Sequence, residues 1–200
     1  MVSGMPDPDR LGRREAVAAL LADRPETLLV VTGLGSPSYD VHAAGDHDGN
    51  YYLWGAMGGA ALVGLGLAQA QPDRQVMVIT GDGEQLMGLG ALATIGVAQP
   101  RNLTLAILDN EHYGETGMQA SHTASVDLAA IAQACRFSEA RTIRSLEEVV
   151  RLQQALSQPS AGPRLVVIKI AARNPPRSLP SRDAVHIKNR FRAHLGLEQG

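Results

Sequence analysis

The sequence predicts an α/β fold of three layers, with helices on both faces of a mainly parallel sheet of about six strands. Three observations carry that expectation. Short apolar runs rich in β-branched residues alternate with helical segments along the chain, from TLLVVT at Thr27–Thr32 to LVVIKI at Leu165–Ile170. These runs are apolar at nearly every position, as strands covered on both faces are. Many of the 21 glycines stand where the runs end, where the backbone bends sharply or approaches something closely. With 200 residues and 44% hydrophobic content, the chain suits one domain around one core. Residues 171–200 read as a C-terminal arm of that domain.

Taken in order, Arg13–Asp23 spaces Val17, Leu20 and Leu21 at helical intervals and stops before Pro25. The strand Thr27–Thr32 closes on Gly33-Leu34-Gly35, and a helix opens after it, with Ser36 as N-cap and Pro37 in the first turn. Gly45–Asn50 (GDHDGN) is loop by composition, and the almost uncharged Ala56–Ala70 reads as a buried helix. Strands Gln75–Thr80 and Leu103–Leu108 flank a helix at Leu86–Val97, which makes a βαβ unit with a right-handed crossover. After a polar loop at Asp109–Ser125, Asp127 caps a helix running to Cys135, and a short strand covers Ala140–Ile143. Ser145-Leu-Glu-Glu is a capping box that opens a helix to about Leu156. The last strand is Leu165–Ile170. The tail is Pro-rich and then amphipathic (Ile187, Phe191, Leu195), the pattern of an arm that packs on another surface.

Charge and composition exclude several functions. Eighteen basic and 20 acidic residues give a net charge of -2 with no block of like charge, which argues against nucleic-acid or membrane-surface binding. No apolar stretch reaches the roughly 18 residues a bilayer span needs. Met1–Arg14 is polar and unlike a signal peptide, so a cytoplasmic protein is expected. The single Cys135 has no internal disulfide partner, and a structural zinc site would rest on six scattered histidines. Gly33-Leu34-Gly35 begins like a dinucleotide fingerprint, but Ser38 stands where the third glycine belongs. No nucleophile elbow, Walker A loop or zinc-protease helix motif is present.

In such folds ligands bind at the carboxyl ends of the strands. QVMVIT runs into Gly81-Asp82-Gly83-Glu84, and LTLAIL runs into Asp109-Asn110-Glu111-His112-Tyr113-Gly114. The βαβ crossover sets Asp82 and Asn110 side by side. A carboxylate, an amide carbonyl and a nearby main-chain carbonyl form a hard-oxygen set suited to Mg²⁺, completed by phosphate oxygens. Backbone N–H groups at Gly83 face the same place.

Gly-Asp-Gly followed by 26 residues and Asn110, with strand, helix and strand between, is similar to the diphosphate-and-magnesium motif of thiamine diphosphate-dependent enzymes. Gly55-Ala56-Met57-Gly58 resembles the family segment whose bulky apolar side chain wedges between the two rings of the cofactor. The resemblance covers roughly Asn50–Lys169, including YLWGAMGGA and LATIGVAQPRNL, and extends to KNRFRAHL in the tail. It points in particular to the beta subunits and C-terminal halves of sulfopyruvate and phosphonopyruvate decarboxylases. It implies the thiamine diphosphate-binding fold, thiamine diphosphate and Mg²⁺ as cofactors, and a 2-oxo acid as substrate. Asp82, Asn110 and the His112 carbonyl become metal ligands. Gly55, Ala56, Met57, Gly81, Gly83, Glu84, Tyr113 and Gly114 become cofactor contacts.

The family's other half carries the glutamate that serves the pyrimidine ring nitrogen, so the resemblance implies a separate pyrimidine-domain subunit as partner. Self-association is also expected, because the apolar helix at Ala56–Ala70 and the amphipathic arm leave apolar surface to cover. The loop beyond Asn110 supplies Glu115, Thr116, His122 and Thr123 as candidates for proton transfer, Glu115 first, with His47 as a second catalytic candidate. Two other readings use the same residues: a non-catalytic or regulatory module that keeps the fold, and a carboligase subunit resembling acetolactate synthase.

Overall fold

The computed structural model describes residues 10–197. Most of the polar N-terminal stretch and the last three residues of the arm lie outside the described residues. Six strands form one fully parallel sheet: β1 (Leu29–Thr32), β2 (Asn50–Tyr52), β3 (Val76–Gly81), β4 (Leu103–Asp109), β7 (Glu139–Ile143) and β8 (Arg164–Lys169). Their order is β2-β1-β3-β4-β8-β7. Between β4 and β7, β5 (His112–Tyr113) and β6 (Gln119–Ala120) pair as a small antiparallel hairpin.

The four central strands are buried almost throughout, which is why they read as unbroken apolar runs. One face of the sheet is covered by α3 (Ala60–Ala70), α5 (Gly90–Ala98) and α6 (Leu128–Ala134), which pack Leu65, Leu92, Ile95 and Leu128 against Val78, Leu105 and Val167. The other is covered by α1 (Arg13–Leu20), α2 (Ser36–Ala43) and α7 (Leu146–Ala155), through Val17, Leu20, Val41, Val149 and Leu152. The three-layer expectation holds. Among the described residues no helix is long and apolar enough to cross a membrane.

Two of the three predicted side-chain caps form: Asp127 accepts from the Ala129 and Ala130 N–H groups, and Ser145 and Glu148 close a reciprocal capping box. Four details differ from the sequence reading. Asn50 begins β2 instead of ending a loop, because its backbone pairs with Val30 of β1. The N-cap of α2 is Gly35 (φ 77°), and Ser36 lies one residue inside the helix, with its hydroxyl turned to Glu115. Residues 56–59 form a turn, so the glycine-rich helix starts at Ala60. The helix placed at Leu86–Val97 is two: α4 (Asp82–Met87) and α5, parted at Gly88, where an added Cβ would stand 2.2 Å from the Gly58 carbonyl oxygen.

The arm also differs. Its helix α8 (Ala184–His194) folds back on the domain's own edge strand, burying Ile187 and Phe191, with the Phe191 ring edge-on to Tyr51 at 5.5 Å. Arg190 clamps it by a 2.6 Å contact to Asp46. The apolar stripe seen in the sequence is therefore used inside the chain. It also covers β2, an outer strand that would otherwise expose unpaired backbone groups.

Candidate functional site

A cleft opens at the carboxyl ends of β1, β3 and β4, where the chain reverses on either side of the sheet centre. Its walls include Asp82, Gly83, Asn110, His112, Met57 and Glu115. Residues placed together by the βαβ argument thus line one cavity.

Asp82 follows β3 and is 2% exposed. Its Oδ2 accepts from Ser121 Oγ at 2.5 Å, and Thr123 Oγ1 lies 3.1 Å away. The same Thr123 hydroxyl is 2.8 Å from Asp109 Oδ1, so one hydroxyl stands between two buried carboxylates. Asp109 is paired with Lys169 at 2.6 Å; Asp82 has hydroxyls for partners and no basic side chain among the described residues. Burial raises its carboxyl above the ordinary value, the hydroxyl of Ser121 works the other way, and the charge of Asp109 adds to the rise. A cation at this carboxylate would offset both the desolvation and the repulsion.

Asn110, 8% exposed, accepts the His112 N–H on its Oδ1 at 2.9 Å, and the His112 ring nitrogen Nδ1 lies 2.8 Å from the Asn110 carbonyl. This turn fixes the amide at the strand end and leaves its oxygen a second lone pair. Carboxylate, amide and main-chain oxygens on one wall form a donor set that fits Mg²⁺. The Tyr113 ring covers Gly83 so closely that a Cβ there would meet it at 2.4 Å. α4 has six residues, so its end offers N–H groups rather than a long macrodipole. Glu84, 5% exposed, accepts the Leu34 N–H at 2.8 Å and ties the β1–α2 loop to α4. That is a positional role.

Met57 reaches the cleft because the turn around it is left-handed three times over, with φ of 81° at Gly55, 50° at Ala56 and 94° at Gly58. Ala56 bears the steric cost a side chain meets there, the kind of strain that persists where surrounding structure enforces it. Gly58 against Gly88 supplies the enforcement. Met57 itself is 38% exposed.

Glu115 overhangs the cleft and is paired with Arg177 at 2.9 Å and with Ser36 Oγ at 3.1 Å. Thr116 also lines the cleft, Thr123 lies beneath Asp82, and His122 is exposed. His47 is not brought to the site. It precedes β2 and so lies at the opposite, amino-terminal end of the parallel sheet, 3.1 Å from Glu26 and edge-on to His194. Glu26, His47 and His194 present ligand-type atoms within 4.8 Å of one another. The Gly49 N–H donates to His47 Nδ1, which sets the ring proton on Nε2 facing Glu26, and Arg24 lies beside the group. Hydrogen bonding accounts for His47 and Glu26, while the buried Nε2 of His194 has no hydrogen-bond partner among the described residues.

Sequence reasoning missed Ser121, Lys169 and the buried pair Arg13–Asp40. Ser121 gives no signal until the β5–β6 hairpin folds it back over Asp82. Arg13 did give one, since it occupies the same helical stripe as Ala16, Val17 and Leu20.

The model of the thiamine pyrophosphate enzyme C-terminal TPP-binding domain matches residues 39–170. The chain belongs to the thiamine pyrophosphate enzymes. Within this family it is 39% identical over 190 residues to a phosphonopyruvate decarboxylase of Streptomyces viridochromogenes, covering 92% of this chain but 46% of that protein. It therefore spans about half the length of that relative. It is 34% identical over 183 residues to sulfopyruvate decarboxylase subunit beta of Methanothermobacter thermautotrophicus, covering 92% of this chain and 93% of the subunit. The corresponding subunit of Methanocaldococcus jannaschii is 40% identical over 137 residues, or 68% of this chain and 72% of that one. Among solved structures, benzoylformate decarboxylase of Polynucleobacter necessarius superposes with a TM-score of 0.69 at 20% identity, over 86% of this chain and 35% of that chain. That likeness speaks for the fold of this thiamine pyrophosphate enzyme and for nothing finer.

Proposed function

We propose that this chain is the thiamine diphosphate-binding subunit of a two-subunit 2-oxo acid decarboxylase, a carboxy-lyase of the sulfopyruvate and phosphonopyruvate type. The observation that carries the reading is the cleft itself, which gathers Asp82, Asn110 and Met57 from three separate segments in a chain of this family. The names of the relatives support decarboxylation, and the "subunit beta" relatives support a partner chain.

In this reading Asp82, Asn110 and the His112 carbonyl hold Mg²⁺, and the N–H groups around Gly83 meet the diphosphate. When bound, the cofactor supplies the electron sink for decarboxylation. The protein's share is binding and orientation. Gly81, Gly83, Tyr113 and Gly114 shape the diphosphate end, and Glu84 holds the facing loop in place. Gly55 and Ala56 set the turn from which Met57 would support the bound cofactor. Glu115, on the loop above the cleft, is assigned proton transfer. A pyrimidine-domain subunit contributes the carboxylate that serves the far ring, because the acidic groups lining this cleft all lie at its diphosphate end or on the overhanging loop.

The test is calorimetry with the partner present. Asp82→Ala and Asn110→Ala should each abolish Mg²⁺-dependent thiamine diphosphate binding while the circular dichroism spectrum stays native. Unchanged affinity in both variants would remove the assignment. The chain alone, given Mg²⁺ and thiamine diphosphate, should release no carbon dioxide from any 2-oxo acid.

A further inference from the structure

Arg13 stands where its helix should carry an apolar residue. The buried stripe of α1 is Arg13, Ala16, Val17 and Leu20, spaced to face the sheet, and Arg13 is 4% exposed. Its guanidinium meets Asp40 of α2 at 2.7 Å, and Asp40 is fully buried. Burial lowers the basicity of Arg13 and raises the carboxyl of Asp40, each against the pull of its partner. Such a buried pair is a poor source of stability compared with well-packed apolar side chains. What it does achieve is to hold a planar fork against the cleft wall, since Arg13 lines the same cavity as Asp82, Gly83 and Asn110.

The fork is largely uncommitted. Among the described residues its side-chain hydrogen bond is a long one, from Nη1 to Asn174 Oδ1 at 3.4 Å. Beside it the carboxylate on the overhanging loop is already engaged: Glu115 takes the Ser36 hydroxyl and Arg177, and lies within the electrostatic reach of Arg13. A guanidinium held at Nε by a carboxylate in a cleft wall suits a tetrahedral acid group, to which its remaining N–H groups can donate parallel bonds.

We propose that Arg13 is an anion-binding residue of the cleft, held ready by Asp40, that takes a phosphate, phosphonate or sulfonate group. The proposal rests on the cofactor reading above, and two sources offer that chemistry. One is the diphosphate of the cofactor; the other is the second acid group of a substrate such as those named for the relatives. Arg13→Lys keeps the charge and loses the fork. Because a change at a buried pair endangers folding, the double variant Arg13→Met with Asp40→Leu removes both charges and keeps the volume.

The complex with the pyrimidine-domain partner is assayed for Mg²⁺-thiamine diphosphate affinity by calorimetry, and for KM with phosphonopyruvate, sulfopyruvate and pyruvate. The chain itself is titrated with Mg²⁺-pyrophosphate. If the fork holds the diphosphate, both variants bind the cofactor and pyrophosphate at least tenfold more weakly. If it holds the substrate, KM rises at least tenfold for the two-acid substrates and not for pyruvate. Folded variants with every affinity and KM within twofold of the parent overturn the proposal. Asp82→Ala separates the two readings: if it loses cofactor while both Arg13 variants keep cofactor affinity, pyrophosphate affinity and every KM, Arg13 alone is misassigned. If neither variant changes cofactor or pyrophosphate affinity, the cofactor site is misplaced, and the KM comparison decides Arg13.

Discussion

Met57 is held by backbone geometry, and its side chain reaches the cleft without a polar tether. On the proposed reading, replacing it by Ala would remove the apolar support for the cofactor and leave the Asp82 and Asn110 oxygens in place. Turnover should therefore fall by at least tenfold while cofactor affinity changes by less than threefold, read from kcat and from calorimetry on the same preparation. Full activity in Met57→Ala would remove Met57 from the proposed cofactor site. Asp82, Asn110 and Met57 were legible in the sequence because each follows a recognisable boundary: two strand ends and a glycine-bracketed turn. Ser121, Thr123 and Lys169 complete the polar network around Asp82 from 39, 41 and 60 residues away from their respective partners. No local pattern announces contacts that depend on where a hairpin folds. His47 misled for the converse reason: it precedes a three-residue strand that its composition hides, and that strand places it at the wrong end of the sheet.

At the scale of elements, the join between the Met57 turn and the α4–α5 break is made by backbone against backbone. A Cβ at Gly88 would meet the Gly58 carbonyl oxygen at 2.2 Å and its Cα at 3.2 Å, so the turn must move. Gly88→Ala should cost about 1–3 kcal/mol, the usual range for overpacking, measured by urea denaturation, with a larger loss of turnover than of cofactor affinity. A second element is joined electrostatically. Next to α8, burial and then the charge of Arg24 hold the His47 imidazole below its ordinary 6.5, while Glu26 opposes them and His194 adds to the lowering. The unfolded chain therefore takes up this proton first on acidification. The stability involved is complete above about pH 6.5 and is lost as the pH falls through the lower, folded-state value. His47→Gln should flatten that part of the stability–pH curve, and an unchanged slope between pH 7 and 5 would contradict the linkage.

For the whole molecule, the alternation of strands and helices was readable because a parallel sheet writes itself as buried apolar runs separated by crossovers. The order of the strands was not, since the short outer β2 carries two tyrosines and an asparagine rather than an aliphatic run. Burial of Ile187 and Phe191 by the chain itself removes α8 from the surfaces available for assembly. Apolar side chains remain on the outer side of α3 and α5, with Leu62 45%, Val63 37% and Val97 83% exposed. Self-association, if it uses this face, should be lost in the variant Leu62→Lys with Val97→Lys, measured as molar mass by light scattering. Retention of the parent's mass would move the contact elsewhere.

The β5–β6 hairpin is fastened at its roots by buried contacts and at its tip by the Glu115 side chain, through Arg177 and Ser36. The Ser121 N–H donates to the Glu111 carbonyl at 2.8 Å, Glu111 is bound to Lys169 at 2.8 Å, and the Ser121 hydroxyl reaches buried Asp82. The tip, by contrast, holds Glu115, Thr116 and Gly117 in the open. The hairpin cannot swing away as a unit without breaking the contacts that hold Ser121 and Thr123 against Asp82. Amide exchange should divide the hairpin sharply, slow at Ser121 and fast at Thr116 and Gly117, and a ligand seated beneath it should slow the tip while leaving the roots as they were.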